Sequence, residues 1–186
     1  MGRIRKISQD DILYAAARVI TKLGASGLSI DAVAQEAGVS KGRVVYDHKS
    51  KSALLDALIE REINAEVERI EAAVEAHADA PHPELFGRIA AVGRIYEEHD
   101  KAIALAMSAS MANDDSLQAK MQEWTDLDLK AMADGPKPHA AMMTYFALMG
   151  FYSTELFGFH RWSEPDRERI LESLRTIYAS YPEPDS

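Results

Sequence analysis

The chain has 186 residues, of which 27% are charged, and its formal net charge at pH 7 is −9. It contains no cysteine, which excludes a disulfide framework, a cysteine-based zinc site and thiol catalysis, and which suits the cytoplasm. The opening residues MGRIRKIS lack the apolar run of a secretion signal, and no apolar span of 18 residues occurs, so we expect no membrane anchor.

A first helix is predicted to begin after Ser8, because Asp11 follows at the spacing of a capping box. Its apolar residues recur every three or four positions and form one buried stripe: Ile12, Ala15, Ala16, Val19, Ile20 and Leu23. Arg3, Arg5 and Lys6 precede this helix. Two interpretations of this basic arm stay open, a solvated tail and a contact with the minor groove or with phosphates.

Residues 29–55 predict two short helices around a glycine turn, followed by the start of a longer helix. Ser29 stands at an N-cap position, and Gly38 lies where a left-handed turn residue is needed. Ser40 then caps a short helix whose N-terminal part is basic. This pattern is typical of a helix–turn–helix that reads the major groove. The alternative is a pair of packed helices in an all-α domain.

The distribution of charge favours DNA binding. Residues 1–51 hold nine Lys/Arg and five Asp/Glu, a balance of +4, whereas the remaining residues carry −13. The positive charge is therefore concentrated around the helix–turn–helix, within an acidic chain.

Each exposed position of this element suggests a role in DNA binding. Arg43 is the best candidate for a base contact, since an arginine can bind both O6 and N7 of guanine. Lys41 and Tyr46 are predicted to contact phosphates, alongside Ser29 and Ser40 at helix N-termini. Lys51 is predicted to contact the DNA backbone from the start of the fourth helix. The full set of predicted DNA-binding residues is Ser29, Ser40, Lys41, Gly42, Arg43, Tyr46, His48, Lys51, Arg3, Arg5 and Lys6. Within it, His48 is better explained as a structural or exposed residue than as a contact.

The N-terminal quarter resembles the DNA-binding domain of TetR-family transcriptional regulators. The matching segments, in order, are 12–24, Gly27-Leu28-Ser29, 30–38, Val39-Ser40-Lys41-Gly42, and Ser50-Lys51 ahead of Ala53-Leu54-Leu55. The chain departs from the family where His48 replaces a usual aromatic residue and Lys49 replaces a small residue or proline. The family's usual aromatic residue near the middle of the recognition helix is also displaced, to Tyr46 after Val45.

A long amphipathic helix is predicted from Lys51 to about Ala78. Its apolar stripe is Leu55, Ile59, Ile63, Val67, Ile70 and Val74, and its outer face is acidic. A DNA-mimicking surface is one interpretation of that face, but a solvated helix face is the commoner explanation.

Five further helices are predicted at 84–99, 100–111, 117–133, 139–159 and 163–180, with proline or Asn/Asp breaks between several of them. The sequence therefore predicts an all-α fold of nine helices, similar to the TetR-family architecture. We expect a DNA-binding domain over residues 1–50, a ligand-binding and dimerisation domain over 51–181, and a disordered tail over 182–186.

A cluster of methionines and aromatic residues suggests an adaptable apolar pocket. The predicted ligand-binding residues are Tyr96, His99, Met107, Met111, Met121, Trp124, Met143, Phe146 and Tyr152. An ordinary hydrophobic core would have the same sequence pattern. The resemblance implies a small-molecule site in this part of the chain.

The last two predicted helices carry apolar stripes and many small residues, which permit close helix approach. The resemblance implies that they pair with their copies in a homodimer. The predicted interface residues are Phe157, Ile170, Leu171, Leu174, Ile177 and Tyr178. Burial against the same chain is the alternative.

No metal-ligand spacing, phosphate loop or nucleophile elbow occurs, so we expect no enzyme activity and no cofactor. The sequence predicts a cytoplasmic, homodimeric repressor that leaves a double-stranded operator when a small hydrophobic or aromatic effector binds. The alternatives are a DNA-binding regulator controlled by a protein partner and a helical small-molecule-binding enzyme.

Overall fold

The computed structural model describes residues 7–112 and 114–184, and within them the chain forms nine α-helices and no β-strand. The helices are α1 Gln9–Gly27, α2 Ile30–Ala37, α3 Lys41–Asp47, α4 Lys51–Ala76, α5 Pro83–Val92, α6 Glu98–Met111, α7 Asp115–Ala133, α8 Pro138–Leu156 and α9 Glu164–Ser180. The predicted all-α fold is confirmed.

The predicted serine caps are present at the first three helices. Ser8 and Asp11 form a reciprocal capping box, as the sequence predicts. The Ser29 hydroxyl accepts a hydrogen bond from the backbone N–H of Ala32 at 3.1 Å, and the Ser40 hydroxyl accepts one from Arg43 at 3.2 Å. Each cap satisfies a backbone donor that has no partner inside its helix.

The chain divides into two compact units. The first contains the described residues up to Ala65 together with Glu97–Ala109, and the second contains Glu66–Tyr96 together with the described residues from Ser110 onward. Helix α4 contributes residues to both units. These units are defined by contacts within the chain, so the predicted end of the DNA-binding domain at residue 50 stays a prediction.

The first unit has a core built from the apolar faces of α1 to α4. Its buried side chains include Ile12, Ile20, Val33, Val44, Leu54 and Leu58. Side chains of α6, Ile103 and Ala106, complete this core. Because full burial of one such aliphatic side chain is worth roughly 1.5–3 kcal/mol, this core holds helices that are too short to be stable alone.

The second unit has its own core between α5, α7, α8 and α9. Its buried side chains include Leu85, Ile89, Met132, Leu148 and Leu174. Helix α5 also lies very close to α4, since a Cβ at Gly87 would stand 2.6 Å from the Cα of Val74. Only glycine permits this approach.

Helix α5 is shorter than the sequence predicts. The predicted helix runs to about His99, whereas α5 ends at Val92 and α6 begins at Glu98. The side chain of Arg167, on α9, donates hydrogen bonds to the carbonyls of Val92, Gly93 and Arg94 at 3.3, 3.4 and 2.7 Å. These bonds stabilise the end of α5 from 73 or more residues away in the sequence. The residues near Val92 therefore do not indicate that the helix ends there.

The end of the described chain lies against α8. The Glu183 carboxylate accepts hydrogen bonds from the backbone N–H groups of His139 and Ala140, at 3.1 and 2.8 Å, and these bonds lower its pKa. An acidic group is favourable at a helix N-terminus. Glu183 therefore makes a defined contact in a stretch that the sequence predicts to be a disordered tail.

Candidate nucleic-acid interface

Helices α2 and α3 form a helix–turn–helix around a glycine. Gly38 has φ +68°, in the left-handed region, and its neighbour Val39 donates a backbone hydrogen bond to Ala34 at 3.0 Å. On α3, Val44 is completely buried in the core of the first unit. The opposite side of α3 is therefore turned to solvent.

The solvent face of α3 contains Lys41, Gly42, Val45 and Tyr46. The Tyr46 side chain is 83% exposed, so its ring and its hydroxyl are available for contacts outside the chain. A Cβ at Gly42 would meet only the Ser40 hydroxyl oxygen, at 3.9 Å. The protein's own packing therefore leaves the position open, and α3 presents bare backbone there.

The cations of this element are paired with acidic groups. The Lys41 ammonium lies 2.9 Å from Asp31 in an exposed ion pair. The Arg43 guanidinium donates to Asp47 at 2.7 Å and to the Ile7 carbonyl at 3.4 Å, and its side chain is 33% exposed. The structure thus places Arg43 beside α3 and not extended into solvent.

Lys51 and Lys49 differ from what the sequence suggests. The Lys51 ammonium donates to the carbonyls of Ala25 and Ser26, at 3.1 and 3.4 Å, and so caps the C-terminal end of α1. Its predicted phosphate contact would compete with these bonds. Lys49 is exposed and has no ion pair among the described residues. In the sequence it stood out only as a departure from the family pattern, and no DNA contact was predicted for it. Its position two residues after the end of α3 is the sequence feature that could have identified it as a candidate contact.

His48 is a core residue. It is 4% exposed, its backbone N–H donates to Val44 at 2.8 Å, and its Nε2 atom has no hydrogen-bond partner among the described residues. Burial lowers the pKa of the imidazole, while the nearby Asp47 charge opposes the shift. This position favours the structural interpretation of His48 over a DNA contact. Arg3, Arg5 and Lys6 lie outside the described residues.

Helix α2 is attached to α1 by a network of ion pairs. The Glu36 carboxylate binds Lys22 and Arg18, both at 2.7 Å. Hydrogen bonds from Lys22 and then Arg18 lower the pKa of Glu36. These contacts help to hold the helix that supports α3, although exposed pairs of this kind contribute little each.

The predicted ligand-binding residues are distributed over both units. Tyr96 is buried in the second unit, with its ring 5.3 Å from Tyr152 and 4.2 Å from the Arg94 guanidinium carbon. Burial raises the pKa of its hydroxyl far above the ordinary value, and this hydroxyl has no hydrogen-bond partner among the described residues. The structure thus brings Tyr96 and Tyr152 together, and their role in ligand binding stays a prediction.

Other members of that set have different surroundings. His99 and Met107 belong to the first unit, where His99 is exposed near Glu97 and Asp100. Phe146 is 54% exposed on α8, and so it does not line the buried interior of the second unit. Met121 lies in an open depression on α7, with Gln118, Gln122, Thr125 and Asp126. Met111, Trp124 and Met143 are half-buried in the second unit.

Two buried ionic networks were not predicted. The Asp128 carboxylate accepts hydrogen bonds from Arg88 at 2.6 Å and from the Tyr145 hydroxyl at 2.9 Å, and so joins α5, α7 and α8. The Arg167 guanidinium pairs with Glu155 of α8, and both side chains are 10% exposed. Charged residues in helical sequences are usually solvated, so only the fold reveals these pairs.

The predicted dimer residues separate into two groups. Leu171, Leu174 and Tyr178 are buried in the core of their own unit. Phe157, Ile170 and Ile177 are only partly buried. On α8, Ala147 and Gly150 are exposed next to Phe146, and a Cβ at Gly150 would meet nothing within 4 Å. The exposed surface of α8 from Phe146 to Gly150 is thus apolar where it is open, whereas most of the exposed side chains of α9, among them Glu168, Arg169 and Glu172, are polar.

Both parts of the chain match known families. Residues 12–58 match the family described as bacterial regulatory proteins, tetR family, and residues 88–179 match the tetracyclin repressor-like C-terminal domain. No curated protein is similar enough in sequence to count as a match. Within the described residues, no helix combines the length and apolar character needed to cross a membrane.

Solved structures of the same fold cover almost the whole chain. A protein assigned to the TetR family from Mesorhizobium loti has a TM-score of 0.71 at 20% identity, covering 91% of this chain and 94% of its own. A TetR-like transcriptional regulator from a Rhodococcus species has a TM-score of 0.65 at 20% identity, with 94% and 97% covered. The multidrug binding protein EbrR, complexed with imidazole, has a TM-score of 0.65 at 22% identity, with 97% and 99% covered. The chain belongs to the TetR family of DNA-binding transcriptional regulators.

Proposed function

We propose that this protein is a homodimeric repressor that binds a near-palindromic operator and leaves it when a small hydrophobic or aromatic ligand binds the second unit. The observation that carries the proposal is the solvent face of α3, with exposed Lys41, Gly42 and Tyr46 next to a glycine turn. A short helix of this kind, held in place by the helices packed against it, fits the major groove of B-DNA. The proposal has no catalytic step and needs no cofactor.

Contacts with phosphates supply most of the affinity in this proposal. Lys41, Lys49 and Tyr46 are exposed and can reach the backbone on either side of the groove. The Ser29 and Ser40 hydroxyls accept bonds from their own helices, and each retains a proton that it can donate to a phosphate oxygen. Arg43 is the proposed base-reading residue. Lys51 is better assigned a role in stabilising the first unit, because it bonds to the end of α1.

Dimerisation is proposed through the open faces of α8 and α9. Phe146, Ala147 and Gly150 on α8 and Ile170 and Ile177 on α9 offer apolar surface that the chain does not cover completely. Small residues permit a partner helix to approach closely. A twofold dimer would place two α3 helices about 34–36 Å apart, one turn of DNA, and this spacing requires an inverted-repeat operator.

The ligand is proposed to bind within the second unit. Two hydroxyls there, those of Tyr96 and Thr144, are buried and have no hydrogen-bond partner among the described residues. Buried polar groups without partners are uncommon, and a bound molecule with polar atoms would satisfy them. The structural neighbour EbrR is described as a multidrug binding protein. These observations support a small ligand with an apolar body and one or two polar atoms.

Release from DNA is proposed to run through α4, which has residues in both units. A ligand can shift the equilibrium between two arrangements of the dimer only by its difference in affinity for them. A hundredfold loss of operator affinity requires a coupling free energy of about 2.7 kcal/mol. Because its family is described as bacterial regulatory proteins and its proposed target is DNA, we place the protein in the cytoplasm.

Selection of binding sites from random double-stranded DNA tests the proposal. The expected result is one enriched inverted repeat, bound by two chains. Titration of candidate aromatic ligands should then weaken binding to that duplex. If ligands that bind the protein leave DNA affinity unchanged, the ligand-responsive part of the proposal is wrong, and control by a protein partner replaces it.

A further inference from the structure

The guanidinium of Arg43 makes two hydrogen bonds within the protein and also lies 6.0 Å from the centre of the Tyr46 ring. Its Nη1 donates to Oδ1 of Asp47, one helical turn along α3, at 2.7 Å, and its Nη2 donates to the Ile7 carbonyl at 3.4 Å. The Asp47 side chain is 11% exposed, whereas both partners of the Lys41–Asp31 pair are more than 60% exposed. The Arg43–Asp47 pair is therefore much better shielded from water, and its electrostatic attraction is correspondingly stronger.

Asp47 depends on Arg43 for its partner. Its second oxygen, Oδ2, is buried and has no hydrogen-bond partner among the described residues. It is also the last residue of α3, where the helix dipole disfavours a negative charge. Moving Arg43 away would leave a shielded carboxylate unpaired, which is costly. The pair consequently restrains the arginine more than an exposed i,i+4 pair would.

We propose that Asp47 is a specificity-determining positioning residue, which holds the Arg43 guanidinium against α3 so that it reads a base edge and does not bind phosphates. This inference rests on the proposed function. An arginine has five N–H donors, so three remain after the bonds to Asp47 and Ile7. These donors can meet the guanine acceptors. A mobile arginine would instead bind any phosphate, and such contacts add affinity without sequence information.

The charge of Asp47 acts in the same direction. A carboxylate beside the DNA-binding face repels every phosphate, whatever the sequence, and so lowers non-specific affinity. The loss of general affinity is the same for all duplexes, but the restraint on Arg43 benefits only the duplex with the correct base. Asp47 thus increases the ratio of specific to non-specific binding.

Asp47→Asn is the primary test, with Asp31→Asn as its matched control. Each variant removes one negative charge from the first unit, but only Asp47 is bonded to Arg43. After site selection, Arg43→Ala defines the base pair that Arg43 reads. For D47N we expect discrimination at that base pair to fall about tenfold. We also expect the slope of the logarithm of the non-specific binding constant against the logarithm of salt concentration to steepen by about 0.9, the value for one new phosphate contact. For D31N we expect tighter non-specific binding with discrimination at that base pair retained.

Two further variants keep the test decisive. Asp47→Glu conserves the charge and moves the carboxylate outward, so discrimination should fall while the salt slope stays unchanged; it carries the test if D47N does not fold. In the Arg43→Ala background, D47N should cause no further loss at the chosen base pair.

The possible failures are distinguishable. If the wild type selects no sequence, the proposed function is wrong, and the role of Asp47 is wrong with it. If the wild type selects an operator but R43A relaxes no base pair, or if D47N and D47E keep full discrimination, only this inference is overturned. A loss at the chosen base pair that is equally large with and without Arg43 would also overturn it.

Discussion

Arg167 and Glu155 form a buried ion pair between α9 and α8, and the same guanidinium donates hydrogen bonds to the last carbonyl of α5 and to the two carbonyls that follow it. Three helices of the second unit therefore depend on one side chain. Its charge is satisfied by a carboxylate and by the negative end of a helix dipole.

Replacing Arg167 by alanine should lower the free energy of unfolding by about 3–5 kcal/mol, because the buried Glu155 carboxylate loses its partner. Chemical denaturation followed by circular dichroism measures the change. Arg169→Ala is the matched control, since Arg169 makes an exposed pair with Asp166 and should change stability by less than about 0.5 kcal/mol. Equal effects of the two substitutions would contradict the structural role of Arg167.

His48 should make the first unit less stable in mild acid. Its pKa is lowered by burial, so between the unfolded value of about 6.5 and the lower folded value the unfolded chain binds more protons. The contribution of neutral His48 to the free energy of unfolding is fully present above pH 6.5 and is lost as the pH falls through the folded pKa. The loss can reach at most about 1.4 kcal/mol per pH unit.

His48→Phe should remove this pH dependence and stabilise the unit at neutral pH, because a phenyl ring, unlike the imidazole, buries no polar nitrogen without a partner. His48→Gln should remove the pH dependence without the gain in stability. Denaturation curves at pH 7.5, 6.5 and 5.5 compare the three proteins. A His48→Phe variant with the same pH dependence as the wild type would show that another group is responsible.

Gly42 should matter for DNA binding and not for folding. A Cβ there meets only the Ser40 hydroxyl oxygen at 3.9 Å, and alanine is a better helix former by up to about 1 kcal/mol. Gly42→Ala should therefore keep or raise the melting temperature while it weakens operator binding, because the methyl group occupies the closest point of approach to the groove. Unchanged operator affinity would mean that α3 does not approach DNA at this position.

Gly150 should control dimerisation. A side chain at this position has open space in the single chain, so Gly150→Glu should fold but should place a charge in the proposed interface. Sedimentation velocity should show a dimer for the wild type and a monomer for the variant. Leu127→Glu, on the exposed surface of α7, is the control and should stay dimeric. A dimeric G150E protein would place the interface elsewhere.

Local features of the fold could be predicted from the sequence, while contacts between distant residues could not. The caps at Ser8, Ser29 and Ser40 and the left-handed Gly38 depend on neighbouring residues, and all were predicted. The end of α5 depends on Arg167, which lies 73 or more residues away, and was placed too late. Periodicity indicates that a helix face is apolar, but not which surface covers it. For this reason Leu171 and Leu174 were predicted at an interface, whereas their own chain buries them.

The candidate DNA-binding site shows the same division. The exposed Lys41 and Tyr46 follow from the position of Ser40 and from the helical repeat, and were predicted. Arg43 was also predicted to point outward, but its hydrogen bonds to Asp47 and Ile7 hold it beside α3. The bond between Lys51 and α1 required the tertiary fold, because Ala25 and Ser26 precede Lys51 by 26 and 25 residues. Without that contact in view, a lysine at the start of α4 was assigned to phosphate.

The most direct test of the central claim, that α3 reads DNA, is the affinity of the full chain for its selected operator and for a scrambled duplex, measured over a range of salt concentrations. We predict binding to the operator at least about a thousandfold tighter than to the scrambled duplex. For both duplexes, the logarithm of the binding constant should fall linearly with the logarithm of salt concentration. Binding to neither duplex, or binding that salt does not weaken, would contradict the account.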